Sequence, residues 1–401
     1  MTNPEPLPTT RSRGMRDLLP ADMRAFRRVE DAFRASAGRW GYEEVRTPTI
    51  ETYSLFTAAG ALTPQMLSRV YSFLDWDGWS GERVVLRPES TIPVARAAAE
   101  ASLAFPARLF YVQNVFRFSE TDDREDWQCG LEYLGAPTSL GDLEVAVVGC
   151  ETLESLGLAP RVRLSHAGIS RTVAAALGID ATAGRSLLDR VGAEGLTGFH
   201  AAAAHHPRVA AFLQVATRPA AGPELLDNLA ALAAGAVPGA SEAIDEVRDV
   251  ASALLESGRS VVIDFGLPRD FDYYTGVVFE FEAAGRSWGK GGRYTPNGAA
   301  TPGSACGLGL DIAPLAALLA PNTGRREPVA VIPAASSDFA RAMSVARALH
   351  RSGIAAALAG DPTAAPLSVT VSGATLTART PEGERAMAVL EEVVGLLVQF
   401  K

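Results

Sequence analysis

One stretch constrains the fold of this chain more than any other: residues 269–294, RDFDYYTGVVFEFEAAGRSWGKGGRY. Arg269 precedes the tyrosine pair Tyr273 and Tyr274, and the alternating apolar run over 277–281 predicts a strand. A guanidinium can fork onto a carboxylate, and tyrosines offer ring faces and hydroxyls to a flat polar group. The stretch therefore fits a ligand-recognition site, or alternatively an aromatic core strand preceded by solvated charge.

The composition is typical of a soluble globular protein. With 401 residues the chain is long enough for two or three domains, and 47% hydrophobic and 21% charged content is ordinary. The net charge of -9 does not suit an unassisted grip on phosphate backbones, which needs clustered Lys and Arg. No stretch is long and apolar enough to span a bilayer. We therefore expect no nucleic acid and no membrane among the partners.

Cysteine and histidine usage predicts neither a disulfide framework nor a metal site. Cys129, Cys150 and Cys306 are scattered without metal-ligand spacing, which favours a reduced cytosolic compartment. The histidines form no paired ligand motif, and the adjacent His205 and His206 are interpreted as a solvated loop. The first 13 residues lack the apolar run of a signal peptide. We expect a cytoplasmic protein without metal or cofactor.

The N-terminal part is interpreted as scaffold. The segment GMRDLLP, residues 14–20, leads into apolar residues at helical spacing, which predict an amphipathic helix over 21–37. A strand over 42–50, broken at Pro48, follows. A hairpin then pairs 71–73 with 83–86.

The stretch LRPESTIPVARA, residues 86–97, sets three polar side chains between a strand and a helix that begins near Ile92. The oxygens of Glu89, Ser90 and Thr91 can cap that helix. A carboxylate with hydroxyls at a strand end can equally bind an ammonium group. Both interpretations stay open on this stretch alone.

Two further strands are predicted over 108–118 and 127–135, joined by the polar loop SETDDRED. Arg117 stands at the end of the first strand. In the second strand Gln128 and Glu132 fall on one face, because side chains alternate along a strand. Two such groups without a basic neighbour in sequence need a donor-rich partner, either a core arginine or a ligand ammonium.

Five motifs occur in a fixed order along residues 10–320. They are GMRDLLP, LRPEST, VFRF paired with WQCGLEYLG, RDFDYY, and GGRY followed by CGLGLD. Together they resemble the catalytic core of class II histidyl-tRNA synthetase and its paralogue, the regulatory subunit of ATP phosphoribosyltransferase. The resemblance implies an α+β fold: a class II synthetase-like, six-stranded antiparallel sheet flanked by helices, with no Rossmann domain. It also implies a homodimer built partly on GMRDLLP.

The resemblance also assigns a pocket for free histidine. Within it, Glu89, Gln128 and Glu132 would hold the α-ammonium group, and Arg117 and Arg269 would fork onto the carboxylate. Tyr273 and Tyr274 would meet the imidazole. The nine positions that match the family's pocket are Glu89, Ser90, Thr91, Arg117, Gln128, Glu132, Arg269, Tyr273 and Tyr274. All keep a suitable residue type, so the amino-acid pocket is expected to be intact.

The nucleotide site departs from the family pattern. Synthetases of the family carry an arginine-bearing loop over the ATP phosphates, but here the shorter loop reads TDDRED, with four acidic side chains and one arginine. Such a loop repels a triphosphate. The family's third motif ends in Gly-Leu-Glu-Arg-Leu, whereas residues 309–313 read GLDIA, so Ile312 replaces the arginine that clamps ATP. Losing one such contact typically costs ~10²–10³ in rate. Adenylation is therefore not expected.

The chain is divided into a core over 1–320, with a helical insertion at about 151–258, and a small α/β domain over 327–401. The tail is predicted to contain strands over 329–332, 354–358, 367–371 and 375–378 and helices over 338–352 and 382–399. It resembles a trimmed anticodon-binding domain. It carries six basic and seven acidic side chains, whereas a tRNA reader is usually basic on one face.

The leading hypothesis is a non-catalytic regulatory subunit of ATP phosphoribosyltransferase in histidine biosynthesis. It would bind histidine and allosterically control a short catalytic subunit, with feedback inhibition as the result. The resemblance suggests a hetero-octamer. The alternative is a divergent histidyl-tRNA synthetase, and a third option is a free-standing aminoacyl-ligase for a small substrate. The loop sequence, Ile312 and the acidic tail favour the first hypothesis.

Overall fold

The computed structural model describes residues 11–58, 64–76, 81–179, 194–266, 274–296, 303–319, 327–361 and 365–400. The chain divides into two compact units, Met1–Pro321 and Asn322–Lys401. In the part of the chain that is described, every helix is too short or too polar to cross a lipid bilayer.

The first unit is built on a large sheet. The described strands of this unit, in chain order, are β1 (Glu43–Glu44), β2 (Ile50–Thr52), β3 (Ser72–Trp76), β4 (Gly81–Leu86), β5 (Ala107–Phe116), β6 (Glu125–Leu134), β7 (Arg161–His166), β8 (Ser260–Ile263), β9 (Tyr274–Ala283), β10 (Arg286–Tyr294) and β11 (Ala305–Asp311). Eight of them form one sheet in the order β1-β5-β6-β11-β10-β9-β7-β8. The six central strands are mutually antiparallel, as the resemblance implied. The short strands β1 and β8 add a parallel pair at each edge.

Helices lie on both faces of this sheet. The described α-helices of the unit are α1 (Pro20–Arg39), α2 (Tyr53–Ala58), α3 (Pro64–Leu67), α4 (Thr91–Glu100), α5 (Leu140–Ser155), α6 (Ala167–Ala176), α7 (Pro207–Ala216), α8 (Glu224–Ala236), α9 (Ala240–Glu256) and α10 (Ile312–Leu318). Helices α1 and α5 pack on one face, and α4 packs on the other. Helix α1 buries Phe26, Val29 and Phe33, as their spacing predicted. The Phe33 ring meets Phe110 of β5 edge-on at 5.9 Å. Each such ring contributes about 1.5–3 kcal/mol of burial free energy.

The strand predicted over 42–50 is two strands in two sheets. Glu43–Glu44 pairs with β5 in the large sheet, whereas Ile50–Thr52 joins the hairpin β3–β4 in a separate three-stranded sheet. Pro48 lies between them and has no backbone N–H to donate to a ladder, so pairing stops there. The turn of the hairpin lies outside the described residues.

The predicted insertion contains more than helices. Strand β7 belongs to the large sheet, and α7, α8 and α9 follow, joined to the sheet again through β8. Helices α7, α8 and α9 each bury aromatic or branched apolar side chains, among them Phe212, Leu229 and Val247, all fully buried.

The second unit is a five-stranded sheet with two described α-helices. Its elements are β12 (Val329–Pro333), α11 (Phe339–Arg351), β13 (Ala356–Leu358), β14 (Ser368–Ser372), β15 (Thr375–Thr380), β16 (Gly383–Met387) and α12 (Leu390–Val398). The helix predicted over 382–399 is wrong in its first part. Gly383 has a φ of +125°, which turns the chain, and the next residues pair antiparallel with β15.

Candidate functional site

The face of the large sheet away from α1 and α5 carries a cluster of buried polar side chains. Gln128, Gly130 and Glu132 of β6 lie on this face, as predicted, and Gly130 is opposite Tyr111 of β5. Helix α4 packs on the same side through Val94 and other apolar residues. The buried polar groups between α4 and the sheet form one region, named the recess: Glu89, Ser90, Tyr111, Glu132 and Tyr294.

Glu132 is the centre of the recess. It is 1% exposed, and the Tyr294 hydroxyl of β10 donates a hydrogen bond of 2.7 Å to its Oε2. Its Oε1 is buried without a hydrogen-bond partner of standard geometry among the described residues. Burial raises the pKa of Glu132 to about 8; hydrogen bonding from Tyr294 and Thr91 opposes the shift, and the charge of Glu89 adds to it. A buried carboxylate oxygen without a hydrogen bond of standard geometry, such as Oε1 of Glu132, suits a ligand that donates a hydrogen bond.

Glu89 forms the second acidic group of the recess. Its carboxylate accepts the backbone N–H groups of Thr91 at 2.8 Å and Ile92 at 3.0 Å, so it caps α4. Burial raises the pKa of Glu89 to about 7, with those two backbone hydrogen bonds acting against the shift. Ser90 is 1% exposed, and its Oγ has no partner among the described residues. The capping interpretation is therefore confirmed for Glu89 but not for Ser90, and the Glu89 carboxylate is also near enough to Glu132 for its charge to raise the pKa of Glu132.

Three glycines make the space that these side chains occupy. A Cβ on Gly307 of β11 would lie 2.1 Å from Oε2 of Glu132, and one on Gly130 would lie 2.3 Å from the Tyr111 hydroxyl. A Cβ on Gly292 of β10 would lie 3.0 Å from the Tyr274 ring. The recess side chains can therefore lie directly on the sheet only because three neighbouring strands carry glycine beneath them.

Two tyrosines of the recess were missed in the sequence. Tyr111 is buried and Tyr294 is 4% exposed. Burial raises the pKa of Tyr111 far above its ordinary value, and the charges of Glu132 and Glu89 add to the effect, so its hydroxyl stays protonated. The available signal was the alternation of glycine with apolar residues in CGLGLD, which marks a strand that something bulky approaches.

Arg117 and Gln128 each donate a side-chain hydrogen bond to another residue of this chain. The Arg117 Nε donates to the carbonyl oxygen of Pro88 at 2.7 Å, next to Glu89, and its positive charge lowers the pKa of that carboxyl. The Gln128 amide donates to Asp311 Oδ1 at 2.9 Å. Tyr274 is 8% exposed at the start of β9. Arg269 and Tyr273, the other two predicted site residues, lie outside the described residues.

The position that the resemblance equates with an ATP-clamping arginine is part of the core. Ile312 is fully buried at the first residue of α10, within the main apolar cluster. Next to it, Asp311 lies on the recess side. Burial raises the pKa of Asp126, and the negative charge of Asp311 adds to that rise. Arg117 and Arg69 are near the same carboxyl group, because their charges lower the pKa of Asp126, so arginines partly balance the carboxylates at this end of the recess.

The comparisons with known proteins agree on one family. The histidyl-tRNA synthetase family model matches residues 14–315. A regulatory subunit of ATP phosphoribosyltransferase from Dehalococcoides mccartyi is 41% identical over 289 residues, which is 71% of this chain and 70% of that protein. A histidine–tRNA ligase from Methanosphaerula palustris is 34% identical over 276 residues, 67% of this chain and 64% of that protein.

Solved structures agree on the fold. A protein from Bacillus halodurans, described as an ATP phosphoribosyltransferase regulatory subunit/histidyl-tRNA synthetase, has a TM-score of 0.73 at 26% identity, covering 89% of this chain and 94% of that one. Histidyl-tRNA synthetase from a Nostoc species has a TM-score of 0.75 at 16% identity, covering 99% and 100%. The fold is thus that of a class II synthetase, and the chain belongs to the histidyl-tRNA synthetase family. Three relatives from Dehalococcoides mccartyi, at 40–41% identity, are named ATP phosphoribosyltransferase regulatory subunits.

Proposed function

We propose that this chain is a regulatory subunit of ATP phosphoribosyltransferase and has no synthetase activity of its own. The observation that carries the proposal is the contrast within one recess. Glu89 and Glu132, which match the family's amino-acid pocket, are buried together, while the position that matches the ATP-clamping arginine holds the buried Ile312. An isoleucine in the core cannot contribute the charge that phosphoryl chemistry needs. The names of the relatives at about 41% identity support the same assignment.

The ligand of the recess is free histidine. Glu132 and Glu89 hold the ammonium group, because they are buried carboxylates that lack a cation among their described hydrogen-bond partners. Arg117, together with Arg269, binds the carboxylate, and Tyr273 and Tyr274 contact the imidazole. Ser90 and Thr91 add hydroxyls at the start of α4. Gln128 acts through its amide oxygen, since its nitrogen donates to Asp311.

The partner is the short catalytic subunit, in a hetero-octamer in which the core of this chain forms a homodimer. Occupation of the recess biases the assembly toward a less active state, which is feedback inhibition. A ligand can do this only through different affinities for the two states. The protein acts in the cytoplasm, on no nucleic acid and at no membrane.

Histidine affinity is expected to rise with pH between about pH 6 and pH 8. The empty recess holds protons on Glu89 and Glu132 below pKa values of about 7 and about 8, and an ammonium group favours the ionised carboxylates. Binding at low pH therefore releases protons, and affinity gains up to about tenfold per pH unit for each proton released. Calorimetry across this range in buffers of different ionisation enthalpy measures the proton count.

The control for this prediction is Glu132→Gln, which keeps the side-chain volume but does not titrate. Histidine binding by this variant should depend less steeply on pH.

The raised pKa values of Glu89 and Glu132 have a second consequence, for the chain without histidine. A carboxyl whose folded pKa is raised stabilises the fold below its unfolded pKa of about 4.3, and that stabilisation is lost as pH rises to the folded value. Thermal unfolding without histidine should therefore occur at lower temperature at pH 8 than at pH 6.

Reconstitution tests the function as a whole. The chain alone is expected to give no histidine-dependent ATP–pyrophosphate exchange above background. Added to a short catalytic subunit, it is expected to raise phosphoribosyl-ATP formation and to make that activity sensitive to histidine. The catalytic subunit alone and this chain alone are the controls. Exchange at a rate typical of synthetases would instead support the divergent synthetase.

A further inference from the structure

The N-terminal segment Arg13–Arg16 is fastened to the acidic loop that follows Arg117. The backbone N–H of Arg124 donates to the Gly14 carbonyl at 2.8 Å. The Arg13 guanidinium donates to the carbonyl of Glu120, and Arg16 pairs with Asp123 at 4.0 Å. The exposed pair contributes little, but the two hydrogen bonds to backbone carbonyls fix where the loop lies.

The loop in turn holds Arg117. The backbone N–H of Arg117 donates to the Arg124 carbonyl at 3.0 Å, closing the loop at its base. The Arg124 Nε donates to the Ser119 carbonyl at 2.7 Å, and its guanidinium lies 4.4 Å from the centre of the Phe118 ring. Arg117 then reaches the Pro88 carbonyl beside Glu89. A continuous set of hydrogen bonds therefore runs from Gly14 through Arg124 and Arg117 to Pro88, the residue before Glu89.

Gly14 is the tightest point of this connection. Its φ is +75°, and a Cβ there would lie 2.5 Å from Cγ and 2.7 Å from Cδ of Arg124. The chain offers a matched comparison in Gly41, whose φ is +77° and which has nothing within 4 Å of an added Cβ. Alanine at either site meets the same backbone strain, but only at Gly14 does it also push on Arg124.

We infer that the N-terminal segment positions the carboxylate-binding Arg117 through Arg124, so that residues remote from the ligand set the affinity of the recess. Gly14, Arg13 and Arg124 are positioning residues, since they contact the loop and not the ligand. The inference rests on the proposed histidine function of the recess. It adds to that function a set of residues outside the nine that were assigned from sequence.

The test compares Gly14→Ala with Gly41→Ala in the full chain. Gly14→Ala is expected to weaken histidine binding about tenfold by calorimetry, and Gly41→Ala to leave it within about twofold, although both lower the unfolding temperature. The double variant Gly14→Ala/Arg124→Ala should bind no more weakly than Arg124→Ala alone, because Arg124 transmits the effect. Equal affinities for the two glycine variants, or additive losses in the double variant, would overturn the inference.

Hydrogen exchange separates this inference from the proposed function, because it needs no ligand. The Arg117 and Arg124 amides should exchange faster in Gly14→Ala than in the parent chain, and at the parent rate in Gly41→Ala. Unchanged exchange in Gly14→Ala overturns the positioning role whether or not histidine binds. If Gly14→Ala does not fold, Arg13→Ala removes the bond to Glu120 without backbone strain and should show the same two effects at smaller size. An Arg13→Ala chain with parent affinity and exchange would also overturn the inference.

Discussion

Replacing Glu132 by alanine is expected to weaken histidine binding by about 2–5 kcal/mol, the usual cost of removing one partner of a buried charge pair. Glu132 is 1% exposed, and its Oε1 has no hydrogen bond of standard geometry from a described residue, so in the proposed complex the ligand ammonium group donates to it. Alanine would remove one of the two carboxylates proposed to hold the buried ammonium group and leave Glu89 as the other. Calorimetry on the parent chain and the variant measures the loss directly.

Two further variants separate charge from shape. Glu132→Gln keeps the volume and loses the charge, so it should lose most of the affinity. Glu125→Ala, at the other end of the same strand, removes a carboxylate that accepts from Asn114 outside the recess, and should bind histidine as the parent does. Parent-like affinity in Glu132→Ala would remove Glu132 from the site.

Gly307→Ala is expected to abolish measurable histidine binding and to cost about 1–3 kcal/mol of folding stability, as overpacking usually does. The new Cβ would lie 2.1 Å from Glu132 Oε2 and 2.9 Å from the backbone oxygen of Leu131. The backbone oxygen belongs to a central strand and cannot retreat, so the Glu132 side chain must leave its position. Chemical denaturation and calorimetry measure the two effects.

Gly309→Ala is the matched control for that substitution. It lies two residues along the same strand and the same face, and an added Cβ there would meet nothing within 4 Å. It should change stability by less and leave histidine binding close to that of the parent. Equal losses at both positions would mean that the strand tolerates no side chain at all, and that the contact with Glu132 is not the cause.

Local patterns in the sequence were sufficient for most elements and for one face of the site. The spacing of Phe26, Val29 and Phe33 predicted α1, because a helix repeats every 3.6 residues. Alternation along β6 placed Gln128 and Glu132 on one face, because a strand repeats every two. The helix predicted at the C-terminus failed where Gly383 turns the chain into β16, since tertiary pairing overrode a weak local preference.

What the sequence determined by itself was therefore each residue's local state: which elements form, which side chains share a face, and which family pattern they match. What only the tertiary structure decided was the partner of each polar group. Tyr294 meets Glu132 across a separation of 162 residues, and Gly307 makes room for the same carboxylate from another strand. Sheet register creates these neighbours, and no local period encodes it. The raised pKa values of Glu89 and Glu132 follow from burial, which exists only once helix α4 and the sheet have packed together.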